Sequence, residues 1–98
     1  MLDYLITPLA RLHIDNAWNW YENQEPGRGD EFIEEFHHRL LAIREYPDIC
    51  CPVSDRSRVA MMHRSKYKIY FRVEDVGIVV IGVRHFAADD DPRLQNRL

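Results

Sequence analysis

Apolar positions follow a helical spacing in the first half of the chain and a strand spacing in the second half. Thr7-Pro8 is typical of a helix start, with threonine as the N-cap and proline at the first helical position. After it, and again after the turn-rich residues 23–29, apolar side chains recur every three or four residues, which predicts two helices. Tyr46-Pro47 ends the second helix. The predicted stripes are Ala10, Ile14, Ala17, Trp18 and Tyr21, then Phe32, Phe36, Leu40 and Ile43.

Strands are predicted before the helices and in the last third of the chain. Residues 2–6 alternate weakly, and residues 58–63 form a candidate strand. Residues 68–73 alternate cleanly, with Lys68, Tyr70 and Arg72 on one face. A turn at residues 74–77 leads into an almost unbroken apolar run that ends at Val83, which predicts a strand in the interior of a sheet.

This order of elements predicts an α+β fold over residues 1–98, as one domain. A two-helix hairpin packs on one face of a small, mainly antiparallel sheet, in the order β-α-α-β-β-β. The other face, which carries Lys68, Tyr70 and Arg72, is expected to stay open. Residues 89–92 are predicted to be irregular, and residues 93–98 form either a short helix or a flexible end.

The net charge of −3 hides an asymmetry. Residues 22–48 hold eight acidic and three basic residues, whereas residues 53–86 hold seven basic and three acidic ones. An acidic chain is a poor general binder of nucleic acid. A chain with one acidic and one basic half suits a specific partner instead.

Several features predict a protein of the cytoplasm without a cofactor. No apolar stretch approaches the roughly 20 residues that span a bilayer, and the polar start is unlike a signal peptide. Cys50 and Cys51 are adjacent, so we expect two reduced thiols. Glu34 or Glu35 with His38 is only half of a di-metal pattern, so no metal site is predicted. His85, at a strand end, is a candidate general acid or base.

Taken together, the motifs resemble the RelE/ParE toxin superfamily from about Tyr4 to Pro92. Thr7-Pro8 opens the first helix, and residues 20–32 read W-Y-E-N-Q-E-P-G-R-G-D-E-F. Residues 63–75 read H-R-S-K-Y-K-I-Y-F-R-V-E-D, and residues 78–85 read I-V-V-I-G-V-R-H. The resemblance implies a type II toxin that is encoded beside an antitoxin, whose extended or helical segment lies across a groove of the toxin.

The superfamily divides by target, and this sequence departs from both branches. RelE-like toxins cut mRNA in the ribosome with basic residues on the middle strands, but residues 59–62 read V-A-M-M here. Acidic residues follow Ala87-Ala88, where that branch has a catalytic arginine that stabilises charge at the scissile phosphate. ParE-like toxins poison DNA gyrase and often carry R-R-D-P, where residues 88–92 read A-D-D-D-P.

The leading hypothesis is therefore a ParE-like toxin without enzyme chemistry, which binds DNA gyrase and is neutralised in a hetero-oligomer with a ParD-like antitoxin. One alternative is a ribonuclease that acts on mRNA in the ribosome with His85 as its acid or base. Another is a degenerate toxin that binds only its antitoxin. Predicted target contacts are Arg58, Lys68, Arg72, Arg84, His85 and Arg93. Predicted antitoxin contacts are Trp18, Trp20 and Phe36, of which Trp20 lies off the apolar stripe.

Overall fold

The structure, a computed structural model, describes residues 2–88 and 91–98. Two of the residues predicted to be irregular, Asp89 and Asp90, lie outside these ranges. The helices are α1 (Pro8–Gln24), α2 (Arg28–Glu45) and α3 (Pro92–Gln95), with a 3-10 turn at Pro47–Ile49. The strands are β1 (Tyr4–Ile6), β2 (Cys51–Pro52), β3 (Ser57–Met62), β4 (Tyr67–Glu74) and β5 (Gly77–His85). No helix in the described part of the chain is long and apolar enough to cross a membrane.

Both long helices begin at capped N-termini. The hydroxyl of Thr7 accepts a hydrogen bond from the backbone N–H of Ala10 at 3.2 Å, as its position before proline predicts. The second helix starts within the turn-rich residues 23–29, after Gly27 in a left-handed conformation with φ of +93°. The carboxylate of Glu22 accepts the N–H groups of Gly27 and Gly29, so α1 satisfies free donors at the start of α2.

All five strands belong to one sheet in the order β1-β5-β4-β3-β2. Strand β1 runs parallel to β5, and the other neighbours are antiparallel. The two-residue strand β2 adds a short edge between the 3-10 turn and β3. Strand β5 lies between β1 and β4 and is buried from Gly77 to Val83, which confirms the interior strand that its apolar run predicted.

One face of the sheet, which we call the helix face, packs against α1 and α2. The aromatic side chains of Phe36 and Phe71 are at most 2% exposed and lie at its centre. The helix-face core comprises Ala10, Ile14, Ala17, Phe32, Phe36, Leu40, Ile43, Cys50, Ala60, Met62, Ile69, Phe71, Ile78, Val80 and Val83. This arrangement confirms the predicted α+β fold.

The opposite face, which we call the tail face, is not fully open. In the register with β4, Tyr70 pairs with Gly82 and Phe71 pairs with Val80, so Ile81 forms a β-bulge. Val79 alternates with Ile78 and Val80 of the helix-face core, so it points away from the helices, and Ile81 belongs to the same buried cluster as Val79. The C-terminal segment, residues 91–98, covers them, and we call this segment the tail. The expectation of an open face was therefore wrong at β5, because removing these apolar side chains from water stabilises the folded state.

Candidate functional site

Three of the predicted target contacts share the tail face. Lys68 of β4 pairs with Arg84 of β5, and side chains that are directly opposite each other point to the same face. Arg72 follows Lys68 by four positions on the same strand and pairs with Ser57 of β3. The Lys68 ammonium lies 5.8 Å from the centre of the Tyr70 ring, within the range of a cation–π contact. Half of the predicted cationic set is thus gathered on one surface.

The other side of the sheet carries Arg58. It pairs with Phe71 of the helix-face core, and its guanidinium donates to the carbonyl of Cys50 at 2.6 Å. A second, longer hydrogen bond of 3.4 Å reaches the carbonyl of Asp48. Arg58 therefore holds the chain after the 3-10 turn against β3, and it does not join the cations of the tail face.

His85 also lies on the helix side of the sheet. It pairs with Tyr67, and the two ring centres are 5.1 Å apart. The Nδ1 atom of His85 accepts the N–H of Ala87 at 3.0 Å, so the neutral ring carries its proton on Nε2. Register and alternation thus put this imidazole across the sheet from Lys68 and Arg84.

Arg93 lies on the tail and is engaged by Asp91. Its Nε and Nη2 atoms donate to the two carboxylate oxygens of Asp91 at 3.1 and 2.9 Å. The same carboxylate caps α3 through the backbone N–H of Arg93. The hydrogen bonds from Arg93 and from His13 hold the pKa of Asp91 well below its usual range. Arg93 therefore helps to keep Asp91 ionised within the folded tail.

His13, on α1, is 4% exposed and joins three elements of the fold. Its Nδ1 atom accepts the N–H of Val83 at 3.1 Å, and its Nε2 atom lies 2.9 Å from the Oδ2 atom of Asp91. Strand β1 pairs with β5 only as far as Val80, where the backbone N–H of Thr7 donates a hydrogen bond to the carbonyl of Val80. His13 thus satisfies an N–H on the part of β5 that β1 does not cover.

Burial lowers the pKa of His13, an effect that outweighs the hydrogen bond that His13 donates to Asp91, which raises it. The guanidinium groups of Arg84 and Arg93 lower this pKa further. Since Nδ1 accepts a hydrogen bond from Val83, a proton on that atom would leave two donors facing each other. His13 is therefore neutral near pH 7, with its proton on Nε2.

Sequence reasoning missed this His13–Asp91 pair. His13 does fall on the buried side of α1, three residues after Ala10 and four before Ala17, and that position was a usable signal. Its partner is 78 positions away. No local pattern connects residues that far apart.

The predicted antitoxin contacts differ in exposure. Trp20 is 57% exposed, as expected from its position off the stripe. Trp18 is half-buried, donates from its indole nitrogen to Asp30 and packs over Gly29 between the two helices. Phe36 is 2% exposed within the core, so its inclusion needs correction, because no partner reaches it on the folded surface.

An aromatic pocket brings Trp20 and His85 together. It has a volume of about 430 Å³ and opens at the end of the helix hairpin, beside the last residues of β5. Tyr21 forms part of its wall, stacking on Phe32 and donating its hydroxyl to the carbonyl of Ser65. The pocket is lined by Trp20, Tyr21, Tyr67, His85, Ala87 and Ala88. A predicted antitoxin contact and a predicted target contact thus share one cavity.

Glu35, which belongs to the half of a di-metal pattern noted in the sequence, has a structural role. The carboxylate of Glu35 accepts the backbone N–H groups of Arg64 and Ser65 at 2.9 and 3.0 Å. It therefore anchors the turn between β3 and β4 to α2. Within residues 2–88 and 91–98, no group of three or more histidine, cysteine, aspartate or glutamate side chains could hold a metal ion.

Comparison with known proteins identifies the family. The model of the "ParE toxin of type II toxin-antitoxin system, parDE" matches residues 4–89. No curated protein is significantly similar in sequence. Among solved structures, a chain of the chromosomal ParDE TA system from P. aeruginosa is similar in fold, with a TM-score of 0.75 and 13% sequence identity. The alignment covers 87% of this chain and 96% of that one. The chain described here belongs to the ParE toxin family of type II toxin–antitoxin systems.

Proposed function

We propose that this toxin inhibits DNA gyrase by binding it, without covalent chemistry of its own, and that a ParD-like antitoxin neutralises it in the cytoplasm. One observation carries the proposal. Lys68, Arg72 and Arg84 lie together on the tail face, whereas His85 lies across the sheet from them. This arrangement is suited to docking on an anionic surface.

The same geometry disfavours the ribonuclease alternative. A general acid or base that cleaves RNA needs cationic donors beside the phosphate on which it acts. His85 instead faces an aromatic pocket, where its neighbours are Tyr67 and Trp20. The three gathered cations, Lys68, Arg72 and Arg84, are on the opposite face of the sheet. Binding therefore accounts for the site better than phosphodiester cleavage does.

The antitoxin is proposed to bind at the end of the helix hairpin. Trp20 offers the large exposed aromatic surface that commonly anchors protein partners. Trp18, with part of its ring accessible, borders the same hairpin. We keep both residues as proposed antitoxin contacts and omit Phe36. Because Trp20 and His85 line one pocket, an antitoxin that fills it would also cover a predicted target contact.

A supercoiling assay with purified gyrase tests the proposal. The double variant Lys68→Ala/Arg72→Ala should lose most of the inhibition, since it removes two of the three cations from the tail face. Its matched control is Arg11→Ala/Arg28→Ala, which removes two exposed cations from the helices. The control should inhibit as the unmodified chain does. Equal inhibition by both variants would contradict the proposed surface.

Expression from a tightly controlled promoter separates the targets in cells. Plasmid supercoiling and message integrity are followed together after induction. Under the proposal, supercoiling fails first and His85→Ala has little effect on message length. Early cleavage of mRNA that His85→Ala abolishes would overturn the proposal in favour of a ribonuclease. Unaffected growth and supercoiling would indicate a degenerate toxin.

A further inference from the structure

The tail is attached to the tail face at three points. Leu94 is 2% exposed and occupies the space over Gly82, where an added Cβ atom would lie 2.6 Å from the Leu94 side chain. The carbonyl of Leu98 accepts hydrogen bonds from the hydroxyls of Ser54 and Ser57 at 2.7 and 3.3 Å. The third point is the contact between Asp91 and His13, which is the one point that contains a group titrating near neutral pH.

We propose that His13 is a proton-sensitive latch, which docks residues 91–98 on the sheet when neutral and releases them when protonated. The imidazole uses both nitrogens in the docked state, one as an acceptor for Val83 and one as a donor to Asp91. A proton added at Nδ1 replaces the bond to Val83 with a contact between two donors. Release of the tail lets water reach the charged ring.

The charges around His13 give the direction of the effect. Asp91 on the tail favours a charged imidazole, whereas Arg93 on the tail and Arg84 on β5 disfavour it. Together with burial, they lower the pKa of His13 in the docked state. Release removes the cover of the tail from His13, so its pKa returns toward the ordinary value of about 6.5. The contribution of neutral His13 to docking is therefore fully present above about pH 6.5, and it is lost as the pH falls below that value.

Release would change the surface that the chain presents. It would uncover Val79 and Ile81, which the tail covers. It would also move Arg93 away from the face that carries Lys68, Arg72 and Arg84. The latch is a property of the isolated chain, so its test does not depend on gyrase or on an antitoxin.

Hydrogen–deuterium exchange between pH 7.5 and 5.0 tests the latch, with rates corrected for the intrinsic pH dependence of amide exchange. Uptake of at most one proton on release predicts that exchange in residues 94–98 rises as the pH falls below about 6.5, by up to about tenfold per pH unit. Amides of β4 and the centre of β5 should stay protected throughout. Constant tail protection, or loss of tail and core protection together, would overturn the proposal.

Variants separate the latch from general effects of pH. In the His13→Asn variant, the amides of the tail should exchange rapidly at pH 7.5, and their exchange rate should not rise further on acidification. His37→Asn, which replaces an exposed histidine of α2, should behave as the unmodified chain. Gly82→Ala, whose methyl group displaces Leu94, provides a reference for a released tail. A pH profile that His13→Asn leaves unchanged would refute the role of His13.

Asp91→Asn provides a second route if His13→Asn does not fold. Asparagine can still cap α3, but it removes the charge that pairs with Arg93. Tail exchange should then be faster at pH 7.5 and should still rise on acidification, because His13 remains. A wild-type rate in Asp91→Asn at pH 7.5 would show that the contact between Asp91 and His13 does not hold the tail.

Discussion

The two faces of the sheet differ in how much protein covers them. Among the residues that the structure describes, the core between the helix face and the two long helices has fifteen buried residues, whereas the buried cluster of the tail face has four: Leu9, Val79, Ile81 and Leu94. Free energy from burial scales with the apolar area removed from water. The helix face must therefore supply most of the stability, and the cover of the tail face can leave without unfolding the sheet.

This difference separates stability from recognition. The tail face carries three predicted target contacts, and its cover is a segment of eight residues that the buried contact between His13 and Asp91 attaches at the edge of β5. Regions that bind or switch are usually drawn from the less stable parts of a fold. We infer that the tail can leave the tail face while the core of the helix face keeps the domain folded. The following predictions compare the two faces with the exposed end of the hairpin.

The largest effect is expected in the helix-face core. Phe36→Ala should lower the free energy of unfolding by about 3–5 kcal/mol, because it removes a buried ring and leaves a cavity. Urea denaturation followed by circular dichroism measures this. Leu41→Ala, on the exposed side of the same helix, should cost less than about 0.5 kcal/mol. Similar losses in both variants would contradict the central role of this core.

A smaller effect is expected beneath the tail. Leu94→Ala should cost about 2 kcal/mol, at the low end for a buried leucine, since the tail can detach without leaving a closed cavity. Urea denaturation should show this smaller loss in the free energy of unfolding. Hydrogen exchange should show faster amide exchange only in the tail. A loss as large as that of Phe36→Ala would mean that the two faces contribute equally.

The smallest effect on stability is expected at Trp20, where the change should appear in binding. Trp20→Ala should weaken binding of the antitoxin encoded beside this toxin by about 1–2 kcal/mol, or roughly 5- to 30-fold in Kd. Isothermal titration calorimetry measures this, with Leu41→Ala as the control for an exposed apolar residue. An unchanged Kd for Trp20→Ala would place the antitoxin elsewhere on the toxin.

Local patterns in the sequence determined the elements and the fold. Thr7-Pro8 marked the start of α1, and the period of the apolar residues separated helices from strands. The unbroken apolar run ending at Val83 predicted the central strand, since a strand that is buried on both faces needs no polar positions. These signals are short in range, so a single sequence contains them in full.

Only the tertiary structure decided which side chains share a surface. Arg58 and Arg72 belong to one basic segment, yet the register of β3 with β4 puts them on opposite sides, because a shift of one residue exchanges the faces of a strand. The docking of the tail and the contact between His13 and Asp91 depend on segments that are far apart in the chain. Such contacts depend on how the helices, the sheet and the tail pack against one another, and local periodicity in the sequence does not specify that packing.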